Sequence, residues 1–178
     1  RRIYDMIPSQ EENKKKRIVA KDILDRKGDR FSNYMEEFEY LINSGITIVS
    51  HAISNPKYPL AESQQKNLLK LYMNDVGMLT SQLYHYNIQP ILNDIASINL
   101  GSVYESAVAQ ELKAHYEKLF YYDNKQKGEV DFLVDDSGTM SVLPIEVKSG
   151  KDYTVHSALD NLMSIQDYHI VSSIVLSN

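Results

Sequence analysis

The chain reads as an α/β (α+β) protein in two parts: a helical module with a two-stranded wing over 1–86, then a domain of element order αβββαβ over 87–178. Three observations predict this. Apolar residues recur at helical spacing up to Gly45. Later, runs rich in β-branched and aromatic residues stand between two helical stretches. Turn-forming clusters, Ser54-Asn55-Pro56 and Ser137-Gly138-Thr139 among them, separate the runs.

In the first half, Ile3, Ile7 and the polar run after Pro8 predict a helix, and Ile18 to Leu24 a second. A third is the firmest: Asn33 with Glu36 forms a capping box, Tyr34, Phe38, Leu41 and Ile42 follow at helical spacing, and Gly45 is placed to end it. Ile46 to Ile53 and Asn67 to Met73 then read as paired strands around the Ser54-Asn55-Pro56 turn. Three helices and a two-stranded wing make a winged-helix module. Asp75 caps a further short helix through Leu83.

The stretch from Asn87 to Asn99 is the expected domain boundary. Beyond it come a helix from about Leu100 to Lys118 and strands at Leu119 to Tyr122, Glu129 to Val134 and Met140 to Lys148. A helix from about Thr154 to Ile165 and a strand from His169 to Leu176 complete the order. There is no internal repeat, low-complexity tract or Gly/Ser linker, so the halves are expected to pack together.

The richest stretch is Gly128-Glu-Val-Asp-Phe-Leu-Val134, a short polar turn, then Pro144-Ile-Glu-Val-Lys-Ser-Gly150. Strand side chains alternate faces, so Val130, Phe132 and Val134 point one way and Asp131 the other. Ile145 and Val147 are then the buried pair of the next strand, leaving Glu146 and Lys148 on the face that Asp131 shares. A two-residue turn at Gly138-Thr139, glycine first, fits a type II′ hairpin and sets Asp131 directly opposite Glu146. A longer loop makes that pair diagonal. Pro144, lacking an N–H, predicts a bulge or an edge. Acid-x-Lys also occurs at Glu12 to Lys14, Asp25 to Lys27, Glu111 to Lys113 and Asp123 to Lys125. Only Glu146 to Lys148 sits between β-branched residues with a second acid on the strand upstream. Two carboxylates and an ammonium converging on one sheet face suit a divalent cation and a phosphate ester. The competing reading is that they are strand-edge charges.

Composition narrows the classes. The formal net charge of −5 argues against coating nucleic acid by bulk attraction, though a local basic patch is compatible with it. Cysteine is absent, which removes disulfides and thiolate metal sites and agrees with a cytoplasmic setting. No apolar run approaches membrane-spanning length, so no membrane is expected as a partner. The start Arg1-Arg-Ile-Tyr, without methionine, reads as a fragment of a longer protein.

The order of elements, with an acid and then Glu-x-Lys on adjacent strands, resembles the PD-(D/E)XK nuclease fold of restriction endonucleases and many repair nucleases. That family also carries a glutamate on its first helix, and Glu105 in Gly101-Ser-Val-Tyr-Glu-Ser106 fits it. Val108, Ala109 and Leu112 follow at helical spacing, so Glu105 is expected to point inward. The whole chain is similar to the C-terminal half of prokaryotic AAA-superfamily ATPases, in which a P-loop domain precedes a winged helix and a nuclease-like domain. The similarity rests on Arg2-Ile-Tyr-Asp-Met-Ile-Pro-Ser-Gln10, Leu71-Tyr-Met-Asn-Asp-Val-Gly77, Gly101 to Leu112, Glu129 to Leu133 and Pro144 to Gly150. No Gly-x-x-x-x-Gly-Lys-Ser/Thr is present, so the resemblance puts ATP in a domain upstream of this chain.

The resemblance implies a restriction-endonuclease-like domain acting on DNA with Mg²⁺ or Mn²⁺, under an upstream ATPase domain. Asp131 and Glu146 would hold the metal, with the Val147 carbonyl as a further ligand. Glu105 would hold a second metal or orient waters, and Lys148 would act on the attacking water or the transition state. Glu129, on the same face, is a substitute ligand. The alternative is a module of that ATPase that binds nucleic acid or protein without catalysis, and an oligomerising segment is a third. Other features count for less. Lys14-Lys15-Lys16-Arg17 reads as a solvated face before it reads as a phosphate contact. The third helix carries Glu36, Glu37 and Glu39 and no lysine or arginine, which opposes DNA reading and favours a protein-facing module. Tyr121 and Tyr122 suit base stacking, but strand aromatics are usually core. Histidines 51, 85, 115, 156 and 169 have no metal-site spacing.

Overall fold

The computed structural model describes residues 2–12, 34–64, 68–84, 89–93, 100–149 and 156–177. The second expected helix, the basic run at 14–17, Asn33, Asn67, His85, Gly150 and most of 87–99 lie outside them. In order come α1 (Arg2–Glu12), α2 (Met35–Asn43), β1 (Thr47–Ile53), a 3₁₀ turn (Leu60–Ser63), β2 (Leu69–Met73), α3 (Val76–Tyr84) and α4 (Gln89–Leu92). They are followed by α5 (Gly101–His115), β3 (Leu119–Asn124), β4 (Gly128–Asp136), β5 (Ser141–Lys148), α6 (Ser157–Met163), a second 3₁₀ turn (Gln166–Tyr168) and β6 (Ile174–Ser177). The αβββαβ order of the second half is as expected, with its last helix and strand shorter.

The fold is α+β with one mixed six-stranded sheet, in the order β2-β1-β3-β4-β5-β6. The two strands expected to pair around the turn are neighbours in this sheet, and β1 also runs parallel to β3. Contacts divide the chain into compact units that interleave in sequence, 1–49 with 67–111 and 50–66 with 112–178.

The first unit is built on helical spacing. Ile3 and Ile7 of α1 pack with Phe38 and Leu41 of α2, Leu79 of α3, and Leu69, Leu71 and Met73 of β2. The ends of α2 show what starts and stops it. Tyr34 occupies the N-cap without a side-chain cap bond, and Asn33 of the expected capping box lies outside the described residues. At the other end Gly45 takes a φ of +73°, and its N–H reaches Ile42 O at 3.0 Å, a left-handed stop that glycine adopts without Cβ strain. Asp75 caps α3 as expected, its carboxylate accepting the Met78 N–H at 2.8 Å.

In the second unit β3 pairs antiparallel with β4, β4 with β5, and β5 runs parallel to β6. β3 lies inside the sheet and shows none of the in-out alternation of a half-exposed strand. Leu119 to Tyr122 are accordingly all buried. Phe120, Tyr122, Val130, Leu133 and Val142 gather with Ile53, Leu60 and the α6 leucines Leu159 and Leu162. Each fully buried leucine contributes about 1.5–3 kcal/mol. Tyr121 and Tyr122 are fully buried, so the core role holds and neither offers a stacking face.

The β4–β5 hairpin departs from expectation at its turn and keeps its register. Asp136 pairs with Ser141, leaving the four-residue loop 137–140 in which Met140, with φ +52°, takes the left-handed conformation. The Asp136 carboxylate ties the loop, accepting from the Gly138 N–H at 2.9 Å and the Thr139 hydroxyl at 2.6 Å. These bonds, Thr139 first, hold the Asp136 carboxyl below its usual range. A four-residue loop centred where the two-residue one was expected preserves the pairing of every position along the strands.

Candidate active site

The site begins with a bulge in β4. Phe120 of β3 pairs with Leu133, but Tyr122 pairs with Val130, so Asp131 and Phe132 together face Tyr121. The extra residue explains why Val130 and Leu133, three apart, join the same core cluster. A bulge was expected at Pro144, yet Pro144 pairs with Leu133 without a shift. The parallel pairing with β6 begins one residue later, at Ile145, so the ring meets no ladder partner on that side.

The regular β4–β5 register reaches Phe132 opposite Ile145, and one further step sets Asp131 opposite Glu146. There the ladder changes character. The Val147 N–H donates to the Asp131 carboxylate, Oδ2, at 2.8 Å. A side-chain carboxylate thus takes a bond that a strand ordinarily gives to a neighbouring carbonyl, and charge makes that bond stronger. The Val147 carbonyl leaves the strand on the side of its N–H, toward β4.

Burial along β5 differs from simple alternation. Ile145 is buried as expected, but Val147 is only half-buried while Glu146 is 6% exposed. Glu146 Oε1 accepts from the Lys148 ammonium at 2.6 Å, whereas its other oxygen is buried without a hydrogen-bond partner. Burial pushes the Glu146 carboxyl above the usual carboxylate range, the facing Asp131 adds to the rise, and Lys148 pulls it partly back. A buried oxygen with no donor, beside a second carboxylate, is a position that a cation would satisfy. Asp131 and Glu146 are oxygen donors of the kind a divalent ion takes, and the Val147 carbonyl is a further oxygen on the same strand as Glu146.

The remaining candidates are placed differently. Glu105 points inward from α5 and is 6% exposed, as expected, but its buried neighbours on the helix are Ser102, Ser106 and Ala109 in place of Val108 and Leu112. It belongs to the first compact unit, whereas Asp131, Glu146 and Lys148 belong to the second. Among the described residues no group of three or more histidine, aspartate or glutamate side chains is close enough to hold one metal ion. Glu129 pairs across the strand with another acid, Asp123. His51 is half-buried and tilted against Phe120, with ring centroids 6.5 Å apart, and burial, then Lys118, lowers its pKa. A cavity of about 460 Å³ opens in the first unit between α1 and α2, lined by Ile3, Tyr4, Glu36, Glu37, Tyr40, Leu41 and Ile46. Its two carboxylates are adjacent in sequence on a helix and so diverge, which makes it an apolar groove and no rival to the strand site for chemistry.

Sequence reading missed three features. The bulge carries no glycine or proline to announce it. The Asp131 cap on Val147 depends on that bulge. The Asp135 carboxylate accepts the N–H of buried Leu60 at 3.0 Å, a contact 75 positions apart in the chain.

The raised pKa has a consequence for stability. The unfolded chain releases this proton near 4.5, the folded chain at higher pH, so the ionised form costs stability that is absent below pH 4.5 and grows as pH rises through the folded pKa. Glu146→Gln should therefore match the wild type in urea unfolding at pH 4 and exceed it at pH 7.5. Lys148, with its side chain 29% exposed, can turn to water in the variant. Equal stabilities at both pH values would show that the carboxylate bears no such cost.

Residues 100–178 match a domain of unknown function (DUF4143), found in the C-terminal region of AAA-ATPase-like proteins. Comparison with curated proteins and with solved structures gives no match. Among the described residues no helix is long and apolar enough to cross a membrane.

Proposed function

We propose that the strands bearing Asp131, Glu146 and Lys148 form the site of a divalent-metal-dependent DNA phosphodiesterase of the PD-(D/E)XK type, in the C-terminal region of an AAA-type ATPase that binds ATP upstream. The observation that carries this reading is Glu146: buried, facing a second carboxylate, with one oxygen on Lys148 and the other without a partner. An evolved strand tolerates such a cost where function repays it. The αβββαβ order supports the same reading.

A bound Mg²⁺ or Mn²⁺ would supply a water of lowered pKa and neutralise charge growing on the phosphate. Asp131 and Glu146 would hold the ion, and the bond from Val147 fixes the Asp131 carboxylate in advance, so little ordering would remain for binding to impose. Lys148 supplies a positive charge that can turn toward a phosphate oxygen. The second reading, a module that binds DNA without cutting, is favoured by the absence of a three-carboxylate group among the described residues.

Cleavage of end-labelled single- and double-stranded DNA, with Mn²⁺ or with EDTA, separates the two. Metal-dependent products from the wild type and none from Glu146→Gln are expected. Retarded DNA mobility with no product under either condition would establish the binding module instead.

A further inference from the structure

We propose that Lys148 is the resident counter-ion of the carboxylate pair, so that a divalent cation enters by displacing its ammonium from Glu146. This rests on the reading of Asp131 and Glu146 as a cation site, and adds that Lys148 opposes occupancy of that site.

The geometry carries the argument. Lys148 Nζ lies 2.6 Å from Glu146 Oε1, a direct charge-assisted contact. Lysine and glutamate two apart on a strand emerge on the same face, so the backbone itself delivers the ammonium to this oxygen. Glu146 is nearly enclosed, its side chain 8% exposed, and it faces Asp131, whose Oδ2 is engaged by Val147. Two facing carboxylates in such a place require positive charge. Lys148 provides one unit of it and leaves Glu146 Oε2 without a partner. A divalent cation would provide two units and engage that orphan oxygen, but an ammonium on the neighbouring oxygen of the same carboxylate repels it. Ammonium and metal therefore compete for Glu146.

The exit for Lys148 is also present. Its side chain is 29% exposed, and a four-carbon stem can carry the ammonium into solvent or onto an arriving anion. A phosphodiester that attracts Lys148 would free Glu146, and by reciprocity a metal that frees Lys148 would favour the phosphodiester. Lys148 would thus keep the site closed to adventitious cations until an anionic substrate arrives.

Calorimetric titration of Mn²⁺ into the chain described here tests this with three variants. Lys148→Met keeps the length of the stem and removes the charge. It should bind Mn²⁺ about tenfold more tightly than the wild type, as loss of one competing ion pair implies. Lys148→Arg keeps the charge and should stay within about twofold of the wild type on the same scale. Glu146→Gln should show no binding. Equal or weaker affinity in Lys148→Met, with clear binding by the wild type, would overturn the counter-ion role and leave the cation site standing. Absence of binding by both the wild type and Lys148→Met would overturn the two together. Unfolding midpoints of each variant show whether a change in affinity reflects loss of fold.

Discussion

Replacing Asp131 with alanine is expected to abolish Mn²⁺ binding and, at the same time, to cost about 1–3 kcal/mol of stability, the usual penalty for a donor left unpaired away from water. Read from sequence, the substitution removes a site-facing charge and no core methyl group, which predicts an unaltered fold. The bond from the Val147 N–H to Asp131 Oδ2 changes that expectation. Asp131→Asn separates the two effects. Its amide oxygen can still accept the Val147 N–H, so urea unfolding should place it within about 1 kcal/mol of the wild type, the net worth of an ordinary hydrogen bond. Its lost charge should remove metal binding as completely as alanine does. A calorimetric titration in which Asp131→Asn binds Mn²⁺ like the wild type would exclude Asp131 as a ligand. Unfolding in which alanine and asparagine are equal would show that the bond to Val147 contributes nothing.

That bond also marks where the sequence stopped being legible. The hairpin register could be read in advance because pairing depends on where the turn is centred, and Asp136-Ser137-Gly138-Thr139 announces a turn. Its length could not be read, since the bonds from Asp136 to Gly138 and Thr139 stabilise four residues where two also fit. Glu146 and Lys148 were legible as a same-face pair from alternation alone. Their burial was not, because alternation reports orientation relative to neighbours, while burial depends on what covers each face, and here Glu146 is buried where Val147 is only half-buried. The fate of β1 was illegible for a similar reason. A strand paired with its neighbour across a turn looks the same whether its other edge is free or pairs in parallel with Leu119 to Tyr122. Helix ends were the most readable elements, as Gly45 and Asp75 act on their own neighbours.

Gly128 is expected to be the residue in the second unit least tolerant of a single added methyl group. It lies at the start of β4 with φ +101°, a conformation that L-residues rarely adopt, and a Cβ built there would stand 2.8 Å from the Ala158 Cβ on α6. Two costs follow, with different origins. Backbone strain at such a φ costs about 1–3 kcal/mol. Overpacking against α6 adds about 1–3 kcal/mol, unless the helix lifts and loosens Leu159 and Leu162 from the core. Gly128→Ala should therefore lose about 2–6 kcal/mol in urea unfolding, the sum of those terms. A second substitution distinguishes them. Ala158→Gly removes the atom that the new methyl group meets, at a cost of about 1 kcal/mol for glycine inside a helix. In the double variant the clash disappears and the strain remains, so it should be less destabilised than the two single losses added together. Strict additivity would mean that the helix does not rest on Gly128, and that the strand start is held by backbone conformation alone. A coupling of about 1 kcal/mol or more, the size expected for residues in contact, would show that this glycine sets how closely α6 approaches β4, three residues from Asp131.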